Sequence, residues 1–172
     1  MEKVACATCQ RARTTLRCGL CDAPACKTCA HLLDEDAFSF LPAVPDHLTK
    51  GIYCHDCFQA RIAGEQESYE RTMAAARAID IYLKDQGKET RLIRRVSPPV
   101  TVKGCSDRDE LILRLAFLAA KDGFTTLVDV DVVGEKVRLG TYQKVVYRGS
   151  AVPAHARADQ IPRDKSLRHN PN

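Results

Sequence analysis

Eight of the nine cysteines in this 172-residue chain fall between Cys6 and Cys57, and they come as four Cys-x-x-Cys pairs. The pairs are Cys6/Cys9, Cys18/Cys21, Cys26/Cys29 and Cys54/Cys57, separated by 8, 4 and 24 residues. Two thiolates with two residues between them fit one tight turn and reach a single tetrahedral zinc at about 2.3 Å. One such pair also serves redox chemistry. Four pairs supply eight ligands, the number that two closed tetrahedral sites require, so two structural Zn2+ ions are the expected cofactors. Disulfides and iron–sulfur clusters compete for the same residues. The N-terminus, MEKVACATCQRARTT, lacks the apolar run of a secretory signal. No stretch approaches the roughly 20 apolar residues of a membrane span. The expected compartment is therefore the cytoplasm, where thiols stay reduced and metal is favoured over disulfides.

Spacing alone leaves the pairing open. A sequential arrangement joins the first pair to the second and the third to the fourth. A cross-braced one joins the first to the third and the second to the fourth. His31, His47 and His55 stand close to these cysteines, but with eight thiols in register none of them is needed as a ligand. The 24-residue gap, with Leu41-Pro42-Ala43-Val44-Pro45 near its middle, reads as an irregular loop over the metal core.

The elements that must position the thiols follow from periodicity. Phe58, Ile62, Tyr69 and Met73 recur at helical spacing, and Glu67–Arg71 is a favourable i,i+4 pair. This predicts a helix from about residue 56 to 77, carrying the last two cysteines at its start. The period then changes to two. Ile79, Ile81 and Leu83 alternate with Asp80, Tyr82 and Lys84, the pattern of a strand. Residues 90–96 read as a second extended run, and Val100-Thr101-Val102 resumes after Pro98-Pro99, which suits an edge. Ser106-Asp107-Arg108-Asp109 is a capping signal. Leu111, Leu115, Leu118 and Ala119 follow at helical spacing, and Gly123 ends that helix. Residues 125–133 and 141–152 read as two more strands, with a turn at 134–136 or near Gly140; Asp129 and Asp131 then face solvent. The fold class is α+β, with a connecting helix and a ββαββ antiparallel sheet carrying one packed helix. The domains are a double zinc finger at 1–65, a helical connector at 66–78, an α+β domain at 79–153 and a disordered tail at 154–172.

Two resemblances add to this reading. Cys18-Gly-Leu-Cys21-Asp-Ala-Pro-Ala-Cys26-Lys-Thr-Cys29-Ala30 resembles the middle of a FYVE-type zinc finger. Ile52-Tyr53-Cys54-His55-Asp56-Cys57-Phe58 resembles the end of one. The resemblance spans about residues 4–65 and implies a treble-clef, cross-brace topology shared with PHD and RING fingers. It implies that Cys6, Cys9, Cys26 and Cys29 bind one zinc, and that Cys18, Cys21, Cys54 and Cys57 bind the other. The family's lipid-reading residues do not carry over. Thr14-Thr15-Leu16-Arg17 stands where a basic, histidine-rich run is expected, Tyr53 replaces a basic residue, and the chain has no Trp. The stretch from Ala119 to Val130, with Tyr147-Arg148-Gly149-Ser150-Ala151-Val152, resembles the YbjQ-like family, whose members form ring-like oligomers. Ser150 stands where that family has threonine, and no cluster of metal ligands accompanies it.

The formal net charge is +4, from 26 Lys+Arg against 22 Asp+Glu. Eight thiolates with two divalent ions would bring the total near zero, which argues against nucleic acid as a partner. A closed four-thiolate zinc has no position for water, which argues against zinc catalysis. Cys105 precedes the capped helix, where a thiol is nucleophilic if exposed and inert if buried; burial is the expectation, and no catalytic residue is assigned. The expected function is a non-catalytic zinc-binding adaptor or scaffold. Its finger recognises a protein partner and its α+β domain supplies homo-oligomerisation or a second surface. The alternatives are a RING-like ubiquitin ligase, with Leu16, Leu20 and Pro24 in its groove, and a phosphoinositide-binding membrane adaptor using Arg17.

Overall fold

The computed structural model describes residues 4–12, 14–88 and 90–156, with Leu139 described by its backbone alone. The chain divides into two units, Met1–Glu70 and Arg71–Asn172. The tail expected at 154–172 lies outside the described residues from Arg157 onward; Ala154 itself is buried at the end of a strand, one residue beyond the expected domain boundary.

The first unit has little regular structure. Strand β1 (Leu16–Arg17) pairs antiparallel with β2 (Pro24–Ala25), and β3 (His31–Leu32) pairs antiparallel with β4 (Ile52–Tyr53). A one-turn helix α1 (His55–Cys57) runs into a π-helical segment at Phe58–Ile62 and then into α2 (Ala63–Arg77). This continuous run agrees with the predicted helix over 56–77. The wide turn arises because the Ala63 N–H bonds back to the Phe58 carbonyl, five residues earlier.

Between the hairpins and the helix sits a small core of Phe38, Leu48, Tyr53 and Ile62, with Leu20, Leu33, Ala37, Leu41, Phe58 and Tyr69 packed around it. The long gap is therefore more than a cover. Phe38, Leu48 and Tyr53, all from that gap, supply three of the four central side chains. Tyr53 is fully buried and donates its hydroxyl to the His47 carbonyl at 2.8 Å.

The second unit is a four-stranded sheet with one helix. Its strands are β5 (Asp80–Leu83), β6 (Val100–Cys105), β7 (Thr126–Leu139) and β8 (Tyr142–Ala154), in the order β5-β7-β8-β6. The expected antiparallel sheet is corrected in one place: β5 pairs parallel with β7. The expected strand at 90–96 is also absent. Thr90 and Ile93 turn into the core while Leu92 and Val96 stay exposed, so the segment is a loop and β5 is not joined to β6 as a hairpin. Ile81 and Tyr82 are both fully buried, so β5 is covered on both faces.

Helix α3 (Arg108–Lys121) begins where its capping signal predicts. The Asp107 carboxylate accepts the Glu110 N–H at 2.8 Å, and Gly123 leaves the helix with φ +81°. Leu111, Leu115 and Ala119 of the expected stripe are buried, joined by Ile112, Ala116 and Phe117, whereas Leu118 is only half-buried. Gly149 of β8 lies so close to strand β7 and to this helix that a Cβ there would stand 2.7 Å from the Asp131 carbonyl oxygen of β7 and 2.9 Å from Leu111 Cδ2 of the helix. Gly149→Ala is expected to destabilise the second unit by about 1–3 kcal/mol through overpacking against backbone. Urea denaturation checks this, and an unchanged midpoint would contradict the close approach.

The hairpin β7–β8 turns at Gly140 (φ +61°) and extends past its neighbours. Pairing with β5 ends at Val130 and pairing with β6 ends at Tyr147. Beyond those points, among the described residues, the two strands pair only with each other, as an arm that exposes Val137, Tyr142 and Val145.

Candidate metal centres

The four Cys-x-x-Cys pairs adopt the same turn. In each, the N–H of the residue after the second cysteine bonds to the carbonyl of the first: Gln10 to Cys6, Asp22 to Cys18, Ala30 to Cys26 and Phe58 to Cys54, all at 2.9 Å. Gln10 and Asp22 reach this geometry with φ of +59° and +57°, a conformation that Asn- and Asp-like side chains tolerate better than branched ones. The sequence thus builds one ligand-presenting turn four times. The first three are loops tied to the short strands, and the fourth is the start of the long helix.

These turns bring the thiols together as two tetrads. Cys6, Cys9, Cys26 and Cys29 form one, and Cys18, Cys21, Cys54 and Cys57 form the other, with the sulfurs of each within 4.8 Å of one another. The grouping is the interleaved one, first pair with third and second with fourth. Cys9 and Cys26 sulfurs lie 3.7 Å apart, as do those of Cys21 and Cys54. A disulfide needs about 2.05 Å, whereas an ion with bonds of about 2.3 Å holds four tetrahedral sulfurs about 3.8 Å apart. All eight cysteines are free thiols. The tetrads therefore fit two metal ions.

Local electrostatics agree with a cation at each centre. The Cys6 thiol is brought down to about 6, chiefly by the backbone N–H of Cys9 and then that of Cys26. Burial alone would raise Cys18, but the backbone of Cys54, Leu20 and Cys21 outweighs it and also brings that thiol to about 6. Cys29 is pushed up to about 12, first by its side-chain bonds to Cys26 and Cys9. Cys57 is driven up further, by burial and then by Cys21 and Cys54. In the first tetrad Cys6 and Cys26 are drawn toward ionisation while Cys29 is held back; in the second Cys18 is drawn toward it while burial and the neighbouring thiols hold back Cys54 and Cys57. A divalent cation removes that conflict, because all four sulfurs then bind as thiolates.

The other residues singled out by sequence fall outside the tetrads. His31 stacks on Phe58 with centroids 3.9 Å apart, and its Nε2 lies 3.5 Å from Nδ1 of the exposed His55. His47 contributes its carbonyl to Tyr53. Arg17 pairs with the Asp22 carboxylate at 2.8 Å and with its carbonyl at 3.2 Å. Leu20 packs on the finger core, while Leu16 and Pro24 sit half-buried in the first hairpin. Cys105 is buried and its thiol is pushed up, first by burial and then by Glu110, the reverse of an activated nucleophile.

Asp129 corrects the expectation that it faces solvent. It sits at a bulge in β7 with φ +53°, half-buried, and its carboxylate takes two bonds from Arg95. Asp131 pairs with Lys84 at 3.1 Å. Sequence reasoning missed Arg95 because nothing local marks a cation whose partner lies 34 residues away.

Comparison with protein-family models, with curated proteins and with solved structures finds no match to this chain. Among the described residues, no helix is long and apolar enough to cross a membrane.

Proposed function

We propose that this chain is a zinc-held adaptor, in which two structural zinc ions fix a treble-clef, FYVE-like finger that recognises a protein partner. The observation that carries this reading is the closure of both tetrads. Four thiols fill a tetrahedral ion and leave no position for water or substrate, so the metal holds the fold instead of performing chemistry. Zinc suits four sulfur ligands and tetrahedral geometry. The finger's own apolar core is small, and metal binding supplies folding energy on the order of 10 kcal/mol per site.

The second unit, read as a YbjQ-like domain, supplies self-association or a second binding surface. Its support is the arm of β7 and β8, where three large apolar side chains, Val137, Tyr142 and Val145, stand in water on a two-stranded ribbon. Such ribbons are marginally stable unless another surface covers them. The ligase and lipid readings have weaker support, since Leu20 is spent on the finger core and Arg17 on Asp22.

Metal-loaded, full-length protein immobilised as bait is expected to retain a defined partner from cell extract, and the Cys26→Ser protein is expected to lose it. Equal recovery by both would contradict a finger-borne adaptor. The same preparations in sedimentation velocity check the arm. Val137→Lys with Tyr142→Ser is expected to lower the sedimenting mass to that of a monomer.

A further inference from the structure

We propose that a groove on the finger, between the loop after β3 and helix α2, docks a segment of a partner protein that carries an aliphatic side chain beside a lysine or arginine. This inference rests on the adaptor reading and names the surface and the chemistry of the partner.

The groove encloses about 330 Å³, within the range of sites that hold a ligand group. Leu32, Leu33, Phe38 and Tyr69 form its apolar walls. Leu32 is 65% exposed at the lip, a large apolar side chain left in water where a partner would cover it. The floor is fixed: Tyr69 meets Phe38 edge to face at 5.2 Å, and the Phe40 N–H donates to the Tyr69 hydroxyl at 3.4 Å. A preformed wall spends little ordering entropy on binding.

The charges on the groove have one sign. Asp34 and Glu70 are its ionisable lining residues, and no lysine or arginine lines it. Gln66 donates to the Glu70 carboxylate at 2.9 Å and holds it in place. Glu35 and Asp36, exposed beside Asp34, extend the negative rim. An apolar cleft with an acidic rim disfavours phosphate-bearing ligands and suits a segment that brings both an apolar anchor and a cation.

The groove is also tied to the metal centres. β3 starts two residues after Cys29, a member of the first tetrad, and the helix that bears Gln66, Tyr69 and Glu70 starts from Cys54 and Cys57 of the second. Each wall is therefore anchored by a different tetrad, so peptide binding requires both ions.

The test uses the full-length, metal-loaded chain against a displayed library of random dodecapeptides, followed by calorimetry with the enriched sequences. Enriched peptides are expected to place Leu, Ile, Val or Met within two positions of Lys or Arg. Their affinity is expected to fall by about tenfold or more in the double variant Asp34→Lys, Glu70→Lys. Both substitutions are at the surface, and unchanged metal content shows that the finger stays folded. Peptides without that signature, or equal affinity in the variant, would overturn the proposal. A synthetic peptide of residues 157–172, which carries Ile161 and Leu167 among Arg163, Lys165 and Arg168, serves as the competing occupant. Its tighter binding would overturn the proposal by assigning the groove to the chain's own terminus. If a partner from cell extract binds the double variant as well as the wild type, the groove assignment falls while the adaptor reading stands.

Discussion

Cys26→Ser is expected to leave the chain with one tightly bound metal ion instead of two and to destabilise the finger by several kcal/mol. The size follows from the coupling of metal binding to folding, on the order of 10 kcal/mol for a four-thiolate site, less whatever a weakened three-sulfur site retains. The pairing of thiols makes the prediction specific. Cys6 and Cys26 belong to one tetrad, and the Cys26 N–H donates to the Cys6 sulfur at 3.4 Å. Once Cys26→Ser has emptied that site, adding Cys6→Ser should change metal content and stability little. Adding Cys18→Ser should remove the second ion as well. Non-additivity within a tetrad and additivity between tetrads is the signature of the interleaved arrangement. Coupling of Cys6 with Cys18 instead would mean that the sites are sequential. Metal content by elemental analysis, with zinc-dependent melting of each variant, reads both quantities.

Arg95→Met should give the largest effect in the second unit, a loss of about 2–4 kcal/mol with both metal ions retained. All five guanidinium donors are engaged. Nε reaches Asp129 Oδ2 at 2.5 Å, and Nη2 reaches Asp129 Oδ1 at 2.9 Å and Thr90 Oγ1 at 3.1 Å. Nη1 reaches the carbonyls of Thr90 and Ile93 at 3.2 and 3.0 Å. Truncation leaves these acceptors without their donor around Thr90 and Ile93, both buried. About a third of each charged side chain remains exposed, so water softens the loss and keeps it below that of a fully buried pair. The interaction also depends on pH. Arg95 holds the Asp129 carboxyl below its ordinary value, so the unfolded chain takes up the proton more readily than the folded one. Stability from the pair is present above pH about 4 and is lost as pH falls through the lower, native value. The gap between wild type and Arg95→Met in urea midpoint should therefore narrow in acid. A constant gap would assign the effect to packing of the side chain alone.

The metal centres were legible as residues before they were legible as sites. Paired cysteines repeat regularly enough to mark the eight ligands of two four-sulfur sites, and the helix after Cys57 and the Asp107-capped helix both carry local signals strong enough to survive folding. Which pairs combine is different. A four-residue gap allows either arrangement, and the answer depends on how the β1–β2 and β3–β4 hairpins bring distant turns together. The core roles of Phe38 and Leu48 had no periodicity to announce them, because their segment is irregular. In the second unit, alternation at 90–96 imitated a strand. Thr90 and Ile93 are buried there by a contact from Arg95 to a bulge 34 residues away, and long-range contacts leave no mark on local pattern. Parallel pairing of β5 was hidden for a related reason: Tyr82 looked like the polar half of an alternation but packs with Ile93 and Val128.

Closed, interleaved tetrathiolate sites are the centre of this account, and the metal's own coordination shell tests them most directly. Zinc K-edge X-ray absorption on the purified full-length chain, with metal content measured on the same sample, should give two zinc ions per chain, each with four sulfur neighbours at about 2.3 Å. A nitrogen neighbour, which would bring His31 or His55 into the shell, a single ion per chain, or iron with inorganic sulfide in place of zinc would contradict it.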